Sequence, residues 1–361
     1  MLYTYREIDH PIQHLQNQIS YYFERLFDLE PNPYDIELVL RPEFIEFIDS
    51  SNKFKNYLEG IAVSYVALPD DEKDLVKQAY AHHSNIEQLC NNTAVTVVKY
   101  AEVVNEAFRE LLKEFLTWLW EGYDKLPQAL RDEYGDLQDH FSAFKKQQKG
   151  KVCPFCGIQG LKPPTDRKRR NAYDHYIPKA TYPFVSINFK NLFPACHECN
   201  SDEKSSYDTP YRNGVRQKIL FPFDTTYTID NLTIYIDPKE VFDAASLSTL
   251  LSSINWDIAF SIEAGTMDIY DAWDDIFKIK TRYKEYIIDY EDTWVRDFVL
   301  GKYREDVMED GLTFDRYKFK LINGSKKSMF DDDKAILRLI YFNFVFSIAD
   351  IEDKLKKVLG V

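Results

Sequence analysis

Cys153-Pro154-Phe155-Cys156 opens a stretch that runs through Asp174-His175-Tyr176-Ile177-Pro178-Lys179 and Asn191-Leu192. It closes with Cys196-His197-Glu198-Cys199-Asn200 and Lys204. Two Cys-x-x-Cys pairs bracket an Asp-His pair and two asparagines. Each pair sets two sulfurs on one local turn, and four thiolates satisfy a closed tetrahedral zinc site. The 39 residues between the pairs then form a loop that the zinc closes. Such a site keeps no open coordination position, so zinc at Cys153, Cys156, Cys196 and Cys199 is read as structural. Spacing alone leaves two alternatives, a pair of half-sites that never meet or a redox dithiol.

Within the loop, Asn171 to Ile177 suits a short strand ended by Pro178, and Asn191 to Ala195 suits a second. Cys196 to Ser205 fits a short helix, which gives a β-β-α order. Aspartate is a hard oxygen ligand for Mg²⁺ or a similar cation, and histidine takes a proton readily near neutral pH. Adjacent strand residues face opposite ways. Joint action of Asp174 and His175 on one phosphate therefore requires a local distortion or a groove reached from both sides. On a helix, Asn200 and Lys204 share a face. Asn200 can offer a carbonyl oxygen to the cation, and Lys204 can set a charge near a phosphate.

Taken together, Cys153-x-x-Cys156, Asp174-His175-x-x-Pro178, Asn191-Leu192 and Cys196-x-x-Cys199-Asn200-x-x-x-Lys204 resemble the HNH endonucleases, the ββα-metal nuclease group. The stretch is similar to the zinc-containing branch with two Cys-x-x-Cys pairs. The resemblance covers about 55 of 361 residues. It implies His175 as the general base, Asp174 and Asn200 as holders of one catalytic Mg²⁺ or Mn²⁺, and Asn191 as a tether that orients His175. Asn200 stands where many members carry a final histidine. His175-Tyr176-Ile177-Pro178-Lys179 with Tyr182-Pro183 also resembles a subgroup from bacterial anti-phage systems, often found beside an ATPase partner. The activity implied is divalent-metal-dependent phosphodiester hydrolysis, on DNA first and RNA second. The competing class is a zinc-stapled module that binds nucleic acid or protein without catalysis.

Charge patterning works outward from this stretch. From Lys145 to Lys218, 15 Lys/Arg against 6 Asp/Glu leave +9; the rest of the chain carries −23, for a net −14. A basic island in an acidic chain suits a local polyanion site. Lys168, Arg169, Arg170 and Lys179 are its candidate nucleic-acid contacts, with Arg167 in the same run. The acidic flanks point to a protein partner or regulatory surface, and a homo-oligomer is compatible with them.

The fold expected is α+β and mainly helical. Residues 1–148 form a helical N-terminal region, 149–215 the zinc-bound unit, and 216–361 a C-terminal α+β region. The N-terminal helices fall near 11–28, 42–58, 71–90, 93–120 and 128–148. The fourth rests on Val97, Ala101, Val104, Phe108, Leu111, Phe115 and Leu119 at three-then-four spacing. Ile219–Phe223, Leu232–Ile236 and Trp256–Ile262 read as strands, and Asp271–Val299 reads as one long helix. Asp331–Asp333 are read as the start of the last helix. His82-His83 is read as helix surface and Cys90 as a buried small hydrophobe. No apolar run is long enough to span a bilayer, and no secretory signal is visible. The expectation is a cytoplasmic protein with reduced thiols.

Overall fold

The computed structural model describes residues 1–29, 35–95, 97–123, 126–162, 171–242, 247–262 and 267–361. The chain is mainly helical with small two-stranded sheets. α1 (Ile12–Phe27) buries Ile12, Leu15, Ile19, Tyr22, Phe23 and Leu26, one face at helical spacing. α2 (Ile36–Val39), α3 (Pro42–Asp49), α4 (Asn52–Val66), α5 (Asp70–Ser84) and α6 (Ile86–Asn91) follow. The helix expected at 42–58 is two helices, because the Ser51 hydroxyl accepts from Phe54 N–H and starts α4 afresh. Asn85 likewise separates α5 from α6 by accepting from Gln88 N–H at 3.0 Å.

The helix expected at 93–120 begins late. α7 spans Glu106–Glu121, and Asn105 caps it by accepting from Phe108 N–H at 3.0 Å. Tyr100–Glu102 is one tight 3₁₀ turn. Val97 is buried with the other core, while Val104 is 69% exposed. Three residues at helical spacing were thus not one helix face. α8 (Gln128–Tyr134) and α9 (Leu137–Gln147) replace the expected 128–148 helix. Gly135, at φ 77°, ends the first, and Asp136 caps the second.

β1 (Tyr173–His175) and β2 (Leu192–Pro194) pair antiparallel, with Asp174 opposite Phe193 and His175 opposite Leu192. A wide π-helical turn, Glu198–Lys204, begins between the two cysteines of the second pair. β3 (Tyr211–Arg212) and β4 (Val215–Arg216) make a tight hairpin, and β5 (Leu232–Pro238) pairs with β6 (Trp256–Ile262). Ile219–Phe223 is not a strand. Its backbone is used singly, Ile219 N–H donating to Cys90 O and Pro222 O accepting from Tyr5 N–H.

After α10 (Leu250–Ser253), the expected 271–299 helix divides into α11 (Asp268–Phe277) and α12 (Ile279–Trp294). Lys278, left-handed at φ 51°, turns the chain between them. The helical path continues through Val295–Leu300, α13 (Gly301–Tyr303) and Arg304–Glu309. α14 (Phe314–Ser328), α15 (Ala335–Val345) and α16 (Ile351–Leu359) complete the chain. Asp331–Asp333 lie in the turn before α15, whose N-cap is Lys334, and α16 is the last helix. No helix among the described residues is long and apolar enough to cross a membrane.

Two cores result. One gathers α1, α4, α7 and their neighbours with Tyr173, Phe184, Phe189 and Leu192. The other gathers the first residues of the chain, all four paired cysteines, Tyr176, Phe193 and the C-terminal helices. Neither core breaks at 148/149 or 215/216. β1 and β2 sit between the two, and strand alternation sends Leu192 into one and Phe193 into the other.

His83 is buried, not on the surface as its sequence setting suggests. Its Nε2 faces Val98 O at 2.8 Å, and its ring meets Tyr182 edge-on. Burial lowers its pKa to about 3, with the Val98 carbonyl opposing. The folded value lies below the ordinary 6.5, so the native ring stays neutral while the unfolded chain takes a proton. The stabilisation is therefore complete above pH 6.5 and is lost as pH falls from there toward 3. Between pH 6.5 and 5 that loss amounts to about 2 kcal/mol. Urea unfolding at both pH values should show His83→Leu shedding that much of the acid sensitivity; an unchanged slope contradicts the assignment. Cys90 is fully buried, as expected, and burial pushes its thiol up.

Candidate metal centre

Cys153 and Cys156 sit on a turn closed by Gly157 N–H donating to Cys153 O at 2.7 Å. Cys196 lies just before the π-helical turn and Cys199 lies within it. All four sulfurs are buried and lie within 4.8 Å of one another, and none forms a disulfide. Cys156 Sγ and Cys196 Sγ are 3.8 Å apart. A tetrahedron with Zn–S bonds of about 2.3 Å has edges of about 3.8 Å, so the cluster fits zinc. Burial pushes the Cys153 and Cys199 thiols well up. A metal must displace those protons, which couples its binding to folding.

Backbone N–H groups tune the sulfurs: Ile158 donates to Cys156 Sγ, Cys196 to Cys153 Sγ and Cys199 to Cys196 Sγ, at 3.4–3.5 Å. The C-terminal helices clamp the first turn. Trp273 Nε1 donates to Phe155 O at 2.8 Å and Tyr283 Oη to Cys156 O at 2.7 Å. Gly157 has φ +68°, and a Cβ there would lie 2.3 Å from Leu2 Cδ2 and 3.0 Å from Ile336 Cγ2. Gly157→Ala is expected to cost about 2–4 kcal/mol, from left-handed strain plus overpacking. A denaturant midpoint equal to wild type contradicts this.

Arg282 of α12 is the residue sequence reading missed. Its side chain is 3% exposed. It donates to Cys199 Sγ at 3.4 Å, Phe277 O at 3.0 Å and Glu198 Oε2 at 2.6 Å. A guanidinium there offsets part of the double negative charge of a zinc tetrathiolate. Glu198 also accepts from Gln159 Nε2 at 3.0 Å, while His197 is exposed beside Asp202. Arg282→Met should destabilise by roughly 3 kcal/mol, the low end for breaking a buried pair, since Glu198 keeps some access to water. Chelator-driven zinc release should quicken with it, and unchanged release contradicts the role. No spacing rule marks Arg282, which lies 83 positions beyond Cys199.

β1 keeps Asp174 and His175 on opposite faces. His175 packs edge-on against Trp120 of α7, ring centroids 4.7 Å apart, and Tyr173 meets the same indole. His175 Nε2 faces Ser186 O at 2.9 Å, so it carries the proton and Nδ1 keeps a lone pair. Among the described residues, Nδ1 has no hydrogen-bond partner. Burial lowers the ring's pKa to about 3, the Ser186 carbonyl opposing, so the ring is neutral at pH 7.

Asp174 faces the other way, onto Lys204. Nζ lies 2.9 Å from Asp174 Oδ1, with both side chains 2% exposed. Burial raises the Asp174 pKa to about 6, against the pull of Lys204. Among the described residues, the buried Asp174 Oδ2 has no hydrogen-bond partner. That orphaned oxygen is what a cation ligand offers, so the position fits a divalent ion. Asn200 is half-buried on the turn that carries Lys204. No hydrogen bond among the described residues joins its side chain to Asp174.

Lys204 is not placed to meet a phosphate directly, because its ammonium is buried against Asp174 and backbone oxygens. Asn191 is fully buried and clips the loop between the strands. Its Oδ1 accepts from Ile177 N–H at 2.7 Å, and its Nδ2 donates to Ile177 O at 2.9 Å and Val185 O at 3.4 Å. It thus fixes the chain on both sides of the His175–Ser186 contact without touching the imidazole. Lys179 is on the rim, paired with Glu121 at 3.0 Å. Lys168, Arg169 and Arg170, with Arg167, lie outside the described residues.

No family model matches this chain, and no solved structure matches it. Among curated proteins, the chain is similar to Protein ea31 of Escherichia phage lambda, 40% identical over 55 residues. The match covers 15% of this chain and 16% of that protein.

Proposed function

We propose that this chain is a zinc-stapled, HNH-type endonuclease that hydrolyses phosphodiester bonds with one Mg²⁺ or Mn²⁺. The observation that carries this reading is the neutral His175, its Nδ1 unpartnered, one residue from a buried Asp174 with an orphaned oxygen, both on a strand braced by four clustered cysteines. His175 Nδ1 takes a proton from the attacking water. Asp174 and Asn200 would hold the divalent ion, which would supply charge stabilisation at the phosphate. Asn191 and the Ser186 carbonyl position the base, and Trp120 limits its rotation. The substrate proposed is DNA, with RNA second, held in part by Lys168, Arg169, Arg170 and Lys179.

A role in bacterial anti-phage defence, in the cytoplasm and with a protein partner such as an ATPase, extends the same reading. It rests on the resemblance of the His175–Pro183 phrase and on the acidic flanks. The test is supercoiled plasmid and structured RNA offered to zinc-loaded protein, with Mg²⁺ or Mn²⁺ or neither. Nicking that needs the added ion and is lost in Asp174→Asn supports the reading; nicking independent of both sinks it. One observation favours a non-catalytic zinc-stapled binding module. The Asp174–Lys204 pair is closed and buried, as a purely structural pair would be. That module would bind nucleic acid equally well with or without Mg²⁺ or Mn²⁺.

A further inference from the structure

Lys204 is saturated. An ammonium has three N–H donors, and three oxygens receive them: Asp174 Oδ1 at 2.9 Å, His175 O at 2.9 Å and Ser205 O at 3.2 Å. The first two acceptors belong to β1 and the third ends the π-helical turn, so the side chain ties turn to strand. The pair it makes is sealed from water, at 2% exposure on each side. The second oxygen of the same carboxylate, Asp174 Oδ2, has no hydrogen-bond partner among the described residues. The side of Asp174 that would meet a cation is therefore adjacent to a fixed positive charge.

We infer that Lys204 is a built-in counter-ion that keeps the divalent-ion site weak while holding Asp174 in its binding position. This rests on the reading of Asp174 as an ion ligand. The carboxylate and the ammonium sum to zero, so a dication arriving at Oδ2 gains little net attraction and meets repulsion from Nζ across a single carboxylate. Burial makes that repulsion larger than the same charges would feel in water. The site reaches full occupancy only when a further negative group, such as the phosphate of a bound strand, joins it. Removing the lysine charge also strengthens the hold of a competing proton on Asp174. The proton carries half the charge of the metal and gains half as much, so the metal gains on balance.

The experiment is Mn²⁺ titration of zinc-loaded protein without nucleic acid, read by the free-Mn²⁺ EPR signal at pH 8. The proteins are wild type, Lys204→Met, Lys204→Arg and Asp174→Asn. Lys204→Met is expected to bind Mn²⁺ about tenfold more tightly than wild type, or better. Lys204→Arg, which keeps the charge, should stay near wild type, and Asp174→Asn should lose the site. If binding depends on Asp174 but Lys204→Met matches wild type or is weaker, the counter-ion role is overturned while the ion site stands. Equal binding, or none, in wild type, Lys204→Met and Asp174→Asn alike removes the ion site and with it the reading of Asp174. Lys204→Gln carries the same expectation if Lys204→Met fails to retain zinc. Loss of zinc in both would make Lys204 a structural requirement and overturn the inference.

Discussion

Replacing Cys199 with serine is expected to empty the metal centre and unfold the module around it. A structural zinc site contributes about 10–16 kcal/mol in small zinc-dependent folds, whereas a whole domain is stable by only about 5–15 kcal/mol. Losing one of four sulfurs therefore removes a large share of what holds the chain. The damage is not local. The loop between the cysteine pairs carries β1 and β2, and the cysteines belong to the core that includes the C-terminal helices. Cys199 also takes a donor from Arg282, whose charge would be left against a site that has lost one of its four sulfurs. Zinc content should fall from one ion per chain to none, with a melting temperature lower by on the order of 10 °C. Cys90→Ser is the control, because Cys90 lies outside the cluster and should keep its zinc. A Cys199→Ser protein that retains one zinc and melts with wild type contradicts the tetrathiolate.

His175→Ala should show the opposite pattern, intact fold with lost chemistry. The side chain makes one hydrogen bond, to Ser186 O, and one ring contact, to Trp120. Each contributes about 1 kcal/mol, so the melt should move little. Removal of a positioned general base lowers a rate by about 10²–10⁴. The loss should fall on kcat and leave KM near wild type, since the proposed role sets His175 against the reacting water and not along the strand. Zinc content should not change. A fall in KM-derived affinity with unchanged kcat would make His175 a binding residue.

The cysteine cluster was legible because its signal is local: two pairs at fixed spacing and one chemistry that needs all four. Strands β5 and β6 and helix α1 were legible for a related reason, since Trp256, Ile258 and Phe260 alternate and the α1 stripe repeats every three or four residues. Val97, Ala101 and Val104 misled because helical spacing says nothing about a cap, and Asn105 starts the helix after them. The long helix near 271–299 was broken by Lys278 in a left-handed conformation that lysine rarely adopts. Within the site, Asp174, His175 and Asn191 could be named from motif. Their environment could not, because it comes from far along the chain: Trp120 from α7, Arg282 from α12, and a backbone carbonyl at Ser186 that has no sequence signature. Lys204 was named from spacing and placed wrongly, since helix periodicity puts it beside Asn200 but cannot reveal a buried carboxylate waiting opposite.

The most direct test of the nuclease reading is the initial rate of plasmid nicking in Mn²⁺ by wild type and His175→Ala at matched zinc content. The reading predicts an active wild type and a mutant slower by at least about a hundredfold with a melting curve that moves little. Equal rates in the two proteins would contradict it.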